Sequence, residues 1–568
     1  MKSVVEIGYD DSLKGSTELG STFFQQLATG FYLFLRYTFL IFLLFLLASH
    51  EAANPRLGRT DIEFYSVAFR NGILNQKSFT ISDSDQKMES SMRHFYAIRN
   101  YSPAWTVNFD IQPSYREFEE LIANSYQFGL LPSLYQYSQL KNLEQAIRMT
   151  DKEEDKLVYR IEFELAATEA LLLFSEHLAV GINRIDTSDT YRSYIEQLPG
   201  FLNLQLKNET LREGILSLQP QNKPYSRLQH ALAKYMISAG ADTVKYTSEE
   251  IKHSMELQAN RLILQGFLDR SFAGDSAAVH SALRNFQRAH GLEVTGKMNR
   301  ETTELLSKST QEKFYKIALN LDRIRKDNLK NSNYILVNIP EFRLQYYNTR
   351  GKCTEFNVIV GKEDTPTPML TSNVEMIVTN PHWTVPQSIS RNELIPLIKK
   401  DSTYLQKHGF TVVDNKNKPV EASSINWSEL NPQKFNYWFR QTTTNNALGV
   451  VKFLFPNEYA VYLHDTQSKR LFNTTKRAYS HGCIRLQDPI EFAKILVSSY
   501  IVNNENIDIE TIIRKKDRQQ IKLDNPLPIY IRYYSCSADS LGNIHFLPDI
   551  YGMDEEAMEQ LFANTSWN

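Results

Sequence analysis

Two of the chain's twelve histidines and one of its three cysteines fall within His464–Arg485, HDTQSKRLFNTTKRAYSHGCIR. Ser480, His481, Gly482 and Cys483 are consecutive, and His464 stands at the far end of the stretch. A thiol attacks a carbonyl once an imidazole takes its proton, and the tetrahedral oxyanion that follows needs hydrogen-bond donors. Backbone N–H groups at a Gly-Cys turn can supply them, and Gly482 lets that backbone come close. The apolar residues Val461-Tyr462-Leu463 predict a strand ending at His464, which holds its imidazole on a rigid element. The loop 465–479 then returns the chain to Ser480–Cys483.

Other readings use the same residues. A zinc site from His464, Asp465, His481 and Cys483 has suitable ligand types but neither a CxxC nor an HExxH spacing. A structural cysteine with two incidental histidines leaves the Ser-His-Gly-Cys tetrapeptide unexplained. A Ser480 nucleophile lacks the G-x-S-x-G elbow that would present it.

At 568 residues the chain exceeds one core and predicts roughly three to five folding units. Its 63 basic and 65 acidic residues leave a net charge of −2, no field for gripping a polyanion, so nucleic acid is not an expected partner. Three cysteines are too few for a disulfide scaffold, and their odd number leaves a free thiol in an oxidising compartment. Cys483 is the candidate; Cys353 and Cys536 read as ordinary, part-buried thiols, with a disulfide between them the alternative if the fold brings them together.

The elements that must position this thiol predict a multidomain α+β chain. Residues 1–30 read as a cytoplasmic segment. The apolar run 31–48 carries one charge, Arg36, and would span about 27 Å as a helix, which predicts a signal anchor or a signal peptide, the anchor being preferred because no small-x-small cleavage site follows. Residues 54–265 read as a helical scaffold: Leu157, Ile161, Leu165, Thr168 and Leu172 recur at helical spacing, with Glu162, Glu164 and Glu169 mostly off the stripe. Residues 270–308 form a short helical unit, with Val279, Leu283 and Phe286 on one face, a helix end at His290-Gly291 and Asn299 as a cap. A polar helix follows at 311–328. From 333 to 523 the period changes to β, interrupted at about 390–441 by a stretch read as a helical, polar insertion over the site. Residues 524–568 read as an extension packed on the sheet domain, too short to fold alone.

The pattern His464, fifteen intervening residues, then Ser480-His481-Gly482-Cys483-Ile484-Arg485 resembles the signature of the L,D-transpeptidase (YkuD-type) catalytic domain. The stretches NPHWTVP (380–386), NNALGVVKFLFPN (445–457), VYLHDT (461–466), FLPDIYG (546–552) and FYAIRNYSPAW (95–105) resemble the larger subgroup with a helical scaffold and a capping insertion. LRNFQRAHGLEVTGKMNRET (283–302) resembles a peptidoglycan-binding module. The resemblance implies an enzyme of the bacterial cell envelope, on the outer side of the inner membrane, acting on peptidoglycan and possessing neither metal nor organic cofactor. Its donor would be a tetrapeptide stem, whose last residue leaves as a thioester forms on the cysteine. An amine of a second stem would then resolve the thioester as a 3→3 cross-link; the alternatives are hydrolysis of the same thioester and a catalytically inactive wall-binding protein, against which intact His464 and Cys483 argue. By position the resemblance implies Cys483 as nucleophile, His464 as base and His481 as the motif's second histidine. Arg485 would bind a stem carboxylate or brace the loop. Ser480, Gly482, Tyr462 and Trp383 are expected at the substrate, other cell-wall enzymes are expected as partners, and a carbapenem is expected to acylate Cys483.

Overall fold

The computed structural model describes residues 86–107, 110–182, 189–238, 246–290, 292–327, 333–442, 446–502 and 507–563, with 67, 71, 244 and 329 as isolated positions. Segments 1–30 and 31–48 lie outside them, as does Gly291; among the described residues no helix is long and apolar enough to cross a membrane. Mixed helix and sheet divide into two compact units: 86–126 with 130–219, and 127–129 with 220–563.

In the second unit, alternating apolar residues build β1 (Tyr334–Asn338), β2 (Arg343–Tyr347), β3 (Cys353–Gly361), β4 (Leu370–Thr379), β5 (Val451–Leu454), β6 (Leu463–His464), β7 (Ala478–Ser480), β8 (Ile484–Leu486) and β9 (Gln520–Arg532). Their order is β7-β3-β8-β6-β5-β4-β9-β1-β2, and β2 also pairs with β3, so the sheet closes on itself with β7 appended. Closure pairs edges that would otherwise stand open. The β6–β8, β7–β3 and β9–β1 ladders are parallel. Phe453, Leu463, Ile484 and Leu486 bury completely in one core with Phe492 and Leu496 of helix Pro489–Tyr500. Because side chains alternate along a strand, Lys452, Tyr462, His464, Cys483 and Arg485 are left on the opposite face.

Three expectations change here. The strand expected through Val461-Tyr462-Leu463 to His464 is reduced to Leu463–His464, the chain arriving there from Ala460 at a left-handed φ of +53°. The insertion is not simply helical: Trp383–Thr384, Trp438–Gln441, Phe410–Val413 and Pro419–Val420 pair in that order as a four-stranded sheet. That sheet joins Ile395 and Ile398 of helix Ile395–Lys400 in a core containing Val385, Phe435 and Phe439. The β-branched run Thr411-Val412-Val413 pairs with residues far along the chain, which helical periodicity cannot reveal. Finally, the boundary at 523/524 falls inside β9, which lies between β4 and β1, so residues after 524 complete the catalytic sheet. Asn525 and Pro526 sit where the register to β4 shifts between Lys522 and Leu527, a bulge that tolerates a residue without an N–H.

Helices Ser248–His253 and Met255–Leu264, expected in the scaffold, share a core with Ser276–Ala289 and Arg300–Ser307 instead: Ile251, Ala259 and Leu262 pack with Val279, Leu283, Phe286 and Leu306. Asn299 caps the last of these through Thr302 N–H. The helix expected to be polar, Thr310–Asp327, buries Lys313, Asn320, Asp322 and Arg325 along with its apolar residues. In the first unit, Glu153–Val180 is buried nearly all round. Glu164, expected off its buried stripe, is itself buried and accepts N–H of Ala104 (2.8 Å) and Trp105 (2.9 Å) and the Thr106 hydroxyl (2.7 Å). Burial raises its pKa against those hydrogen bonds.

Candidate active site

Lys452 of β5 pairs with His464 of β6, and His464 pairs with Arg485 of β8. The three form one row across neighbouring strands on the face away from the core. Cys483 directly precedes β8, where Ile484 N–H donates to Tyr462 O at 3.1 Å. The cysteine thus stands beside Tyr462 and diagonal to His464, a separation of about 7–8 Å that an imidazole can bridge.

His464 is buried, with its ring edge-on to Tyr462 at 5.6 Å between centroids. Its Nδ1 lies 2.5 Å from Asp465 O. A carbonyl can only accept, so Nδ1 carries the proton and Nε2 keeps its lone pair. Burial, followed by the charge of Arg485, pulls the His464 pKa down to about 3, outweighing the Asp465 carbonyl. Asp465 is anchored in turn: its N–H donates to Val451 O (2.9 Å), and its Oδ2 accepts Val450 N–H (2.9 Å), while Lys469 pairs with Oδ1. Gly449, at φ +61°, makes room for that carboxylate, since a Cβ there would stand 2.1 Å from Asp465 Oδ2.

Burial pushes the Cys483 thiol up; hydrogen bonds from the Tyr462 backbone and hydroxyl, then the charges of Lys452 and Arg485, pull it down by less. Trp383 hydrogen-bonds the same hydroxyl, linking it to the insertion, where its ring packs 6.1 Å from Phe410. The resting pair is therefore a thiol with a neutral imidazole.

The turn bearing Cys483 is held from below. Ser480 Oγ donates to Cys483 O (2.5 Å) and accepts Gly482 N–H (3.2 Å). Gly482 takes φ +104°, a conformation that favours glycine. Thr367 Oγ1 donates to Gly482 O (2.8 Å) and accepts Gly361 N–H (2.8 Å). Tyr551 OH donates to Gly361 O (2.7 Å) and accepts Thr367 N–H (3.1 Å). Lys362 N–H and the Thr365 hydroxyl both donate to Ser480 O.

The fold thus brings Cys483, His464, Tyr462, Arg485 and Trp383 together. Ser480, expected at the substrate, is buried as a brace of the turn, its hydroxyl already engaged. His481 reaches the insertion instead, with Nε2 2.6 Å from Glu393 Oε1. The residues weighed as zinc ligands are engaged separately, His464 by a carbonyl, His481 by Glu393 and Asp465 by Val450. Cys353 and Cys536 are free thiols. Sequence reasoning missed Lys452, Gly449, Thr367 and Tyr551. Lys452, Gly449 and Tyr551 lie in stretches that carry the family resemblance, where their residue types alone point to no chemistry.

Three family models match the chain: the L,D-transpeptidase catalytic domain YkuD over 332–504, a scaffold domain over 90–232, and a "Putative peptidoglycan binding domain" over 260–306. A Haemophilus influenzae protein named "Putative L,D-transpeptidase" is 36% identical over 241 residues, which is 42% of this chain and 48% of the relative. The chain thus spans about half the length of the curated relative it matches. Strand β9 of the same sheet, Gln520–Arg532, lies beyond the end of the catalytic-domain match. The thiol, the carbonyl-oriented imidazole and the closed sheet all lie in the matched segment or complete it, and this chain carries a YkuD L,D-transpeptidase catalytic domain preceded by a scaffold domain and a peptidoglycan-binding domain.

Proposed function

We propose that this protein is a cysteine-dependent L,D-transpeptidase of the bacterial cell envelope that joins peptidoglycan stems by 3→3 cross-links. The observation that carries the reading is His464: its Nδ1 proton is committed to Asp465 O, so the Nε2 lone pair is available on the face that bears Cys483. Nε2 takes the thiol proton as Sγ attacks the carbonyl after the third residue of a tetrapeptide stem. The oxyanion is received by Cys483 N–H, for which no acceptor stands among the described residues, whereas Gly482 N–H is already held by Ser480. The C–N bond breaks, the imidazolium returns its proton to the leaving amine, and a thioester remains on Cys483. An amine of a second stem attacks the thioester, Nε2 takes its proton, and the thiol is restored with a new amide bond formed. No cofactor takes part in these steps. Peptidoglycan is the partner in both halves, with the peptidoglycan-binding domain as a second hold on the polymer and the segment 31–48 as an anchor to the membrane; other cell-wall enzymes would share the same polymer.

Incubation of the full chain with disaccharide-tetrapeptides, followed by mass analysis, tests this. Dimers lighter by the terminal residue, absent with Cys483→Ala, are expected. Tripeptide monomers alone would assign the thioester to water, and unchanged peptide would leave only binding. A carbapenem, a strained acylating lactam, is expected to add its mass at Cys483; a folded protein that never acquires the adduct would count against acyl transfer through this thiol.

A further inference from the structure

Two cations flank His464 without a counter-charge. Lys452 and Arg485 are its register partners on either side, and both are half-buried. Lys452 Nζ lies 5.2 Å from the centre of the Tyr462 ring. Among the described residues neither cation forms an ion pair with a carboxylate: the titratable neighbours of Lys452 are Arg518 and Cys483, and that of Arg485 is Cys483, which rests as a neutral thiol. His382, facing Lys452 and Arg518, adds no negative charge. Half-burying two cations with no partner is unfavourable, and such a site gains most by admitting an anion.

The proposed chemistry says which anion. The leaving nitrogen must come within hydrogen-bond reach of His464 Nε2, and in a C-terminal residue the carboxylate carbon lies two bonds further, about 2.5 Å from that nitrogen. Residues directly opposite on paired strands stand about 5 Å apart at Cβ, so a long side chain beside His464 meets that carboxylate. The geometry points to Lys452 as the residue that selects the free terminal carboxylate of the donor's leaving residue, with Arg485 closing the site from the other strand. Lys452 is then a specificity-determining residue: it distinguishes a stem that ends one residue beyond the scissile carbonyl from one that continues or is capped there. This assignment rests on the acyl-transfer reading given above.

The test compares a disaccharide-tetrapeptide with its C-terminal carboxamide, using the full chain and following release of the terminal residue or its amide. The wild type is expected to prefer the free acid by about tenfold to a hundredfold in kcat/KM, the range of a charge-assisted hydrogen bond. In Lys452→Met that preference falls toward unity, chiefly through KM of the acid, while Lys452→Arg keeps most of it. Alkylation of Cys483 by the neutral reagent iodoacetamide, measured on the same variants, confirms that the thiol is still presented. A wild type that takes the amide as readily as the acid overturns the assignment without any variant, and so does a folded Lys452→Met enzyme with the wild-type preference. A wild type that consumes neither peptide overturns the acyl-transfer reading itself, an outcome distinct from both.

Discussion

At the scale of residues, a buried neutral imidazole and a half-buried thiol face a shared surface, and their burial has measurable consequences. The folded pKa of His464 is about 3, against an ordinary value of 6.5. The folded state therefore binds fewer protons than the unfolded state below about pH 6.5, so this contribution to stability is complete above that pH and is lost as pH falls toward 3. Denaturant unfolding should show wild type losing about 2 kcal/mol relative to His464→Gln over the first two pH units below about 6.5; parallel curves would mean that the imidazole is solvated. The thiol is displaced the other way. Cys483 should alkylate more slowly than an exposed thiol, with no plateau between about pH 6 and pH 8, because thiolate accumulates only at higher pH. A plateau in that range would reveal a preformed thiolate–imidazolium pair. Gly449 gives a steric test: Gly449→Ala drives a Cβ into the carboxylate of Asp465 and strains a φ of +61°. A loss of about 1–3 kcal/mol in stability is expected, with kcat falling as the Asp465 carbonyl that orients His464 is displaced.

At the scale of elements, the 361–367 loop and the chain's tail act together as a cradle for the turn that bears Cys483. Tyr551 holds Gly361 and Thr367, Thr367 holds Gly482, and Tyr533 hydrogen-bonds both Asp549 and Tyr551 N–H. Tyr551→Phe removes the first link without creating a large cavity. It should lower kcat on the order of tenfold while KM moves little, since the turn and not the substrate pocket is loosened. Equal changes in both constants would place Tyr551 at the substrate instead. The Glu393–His481 contact gives the insertion its own hold on the same turn from the other side. These supports explain why FLPDIYG, far from the cysteine in sequence, belongs to the site: its tyrosine is two hydrogen bonds away from Gly482.

At the scale of the molecule, helices Ser248–Leu264 belong to the core of the peptidoglycan-binding module, and Leu262 is fully buried there. Leu262→Ala should cost about 2–5 kcal/mol in the unfolding of that core. A change below about 0.5 kcal/mol would return these helices to a peripheral role. Much of the architecture was legible beforehand, because local pattern carries it: the helix through Leu157–Leu172, the cap at Asn299, the strands of the sheet domain, and the His464…Ser480–Cys483 signature all rest on residues close together in the chain. The tertiary structure decided what depends on distant partners. It placed β9 inside the sheet, turned the insertion into a sheet of its own, and took Ser480 from the substrate to the underside of the turn. It also set Lys452 and Arg485 on either side of His464. Periodicity and motif spacing are properties of neighbouring residues, whereas strand register and the pairing or isolation of a buried charge are fixed only when separate segments meet.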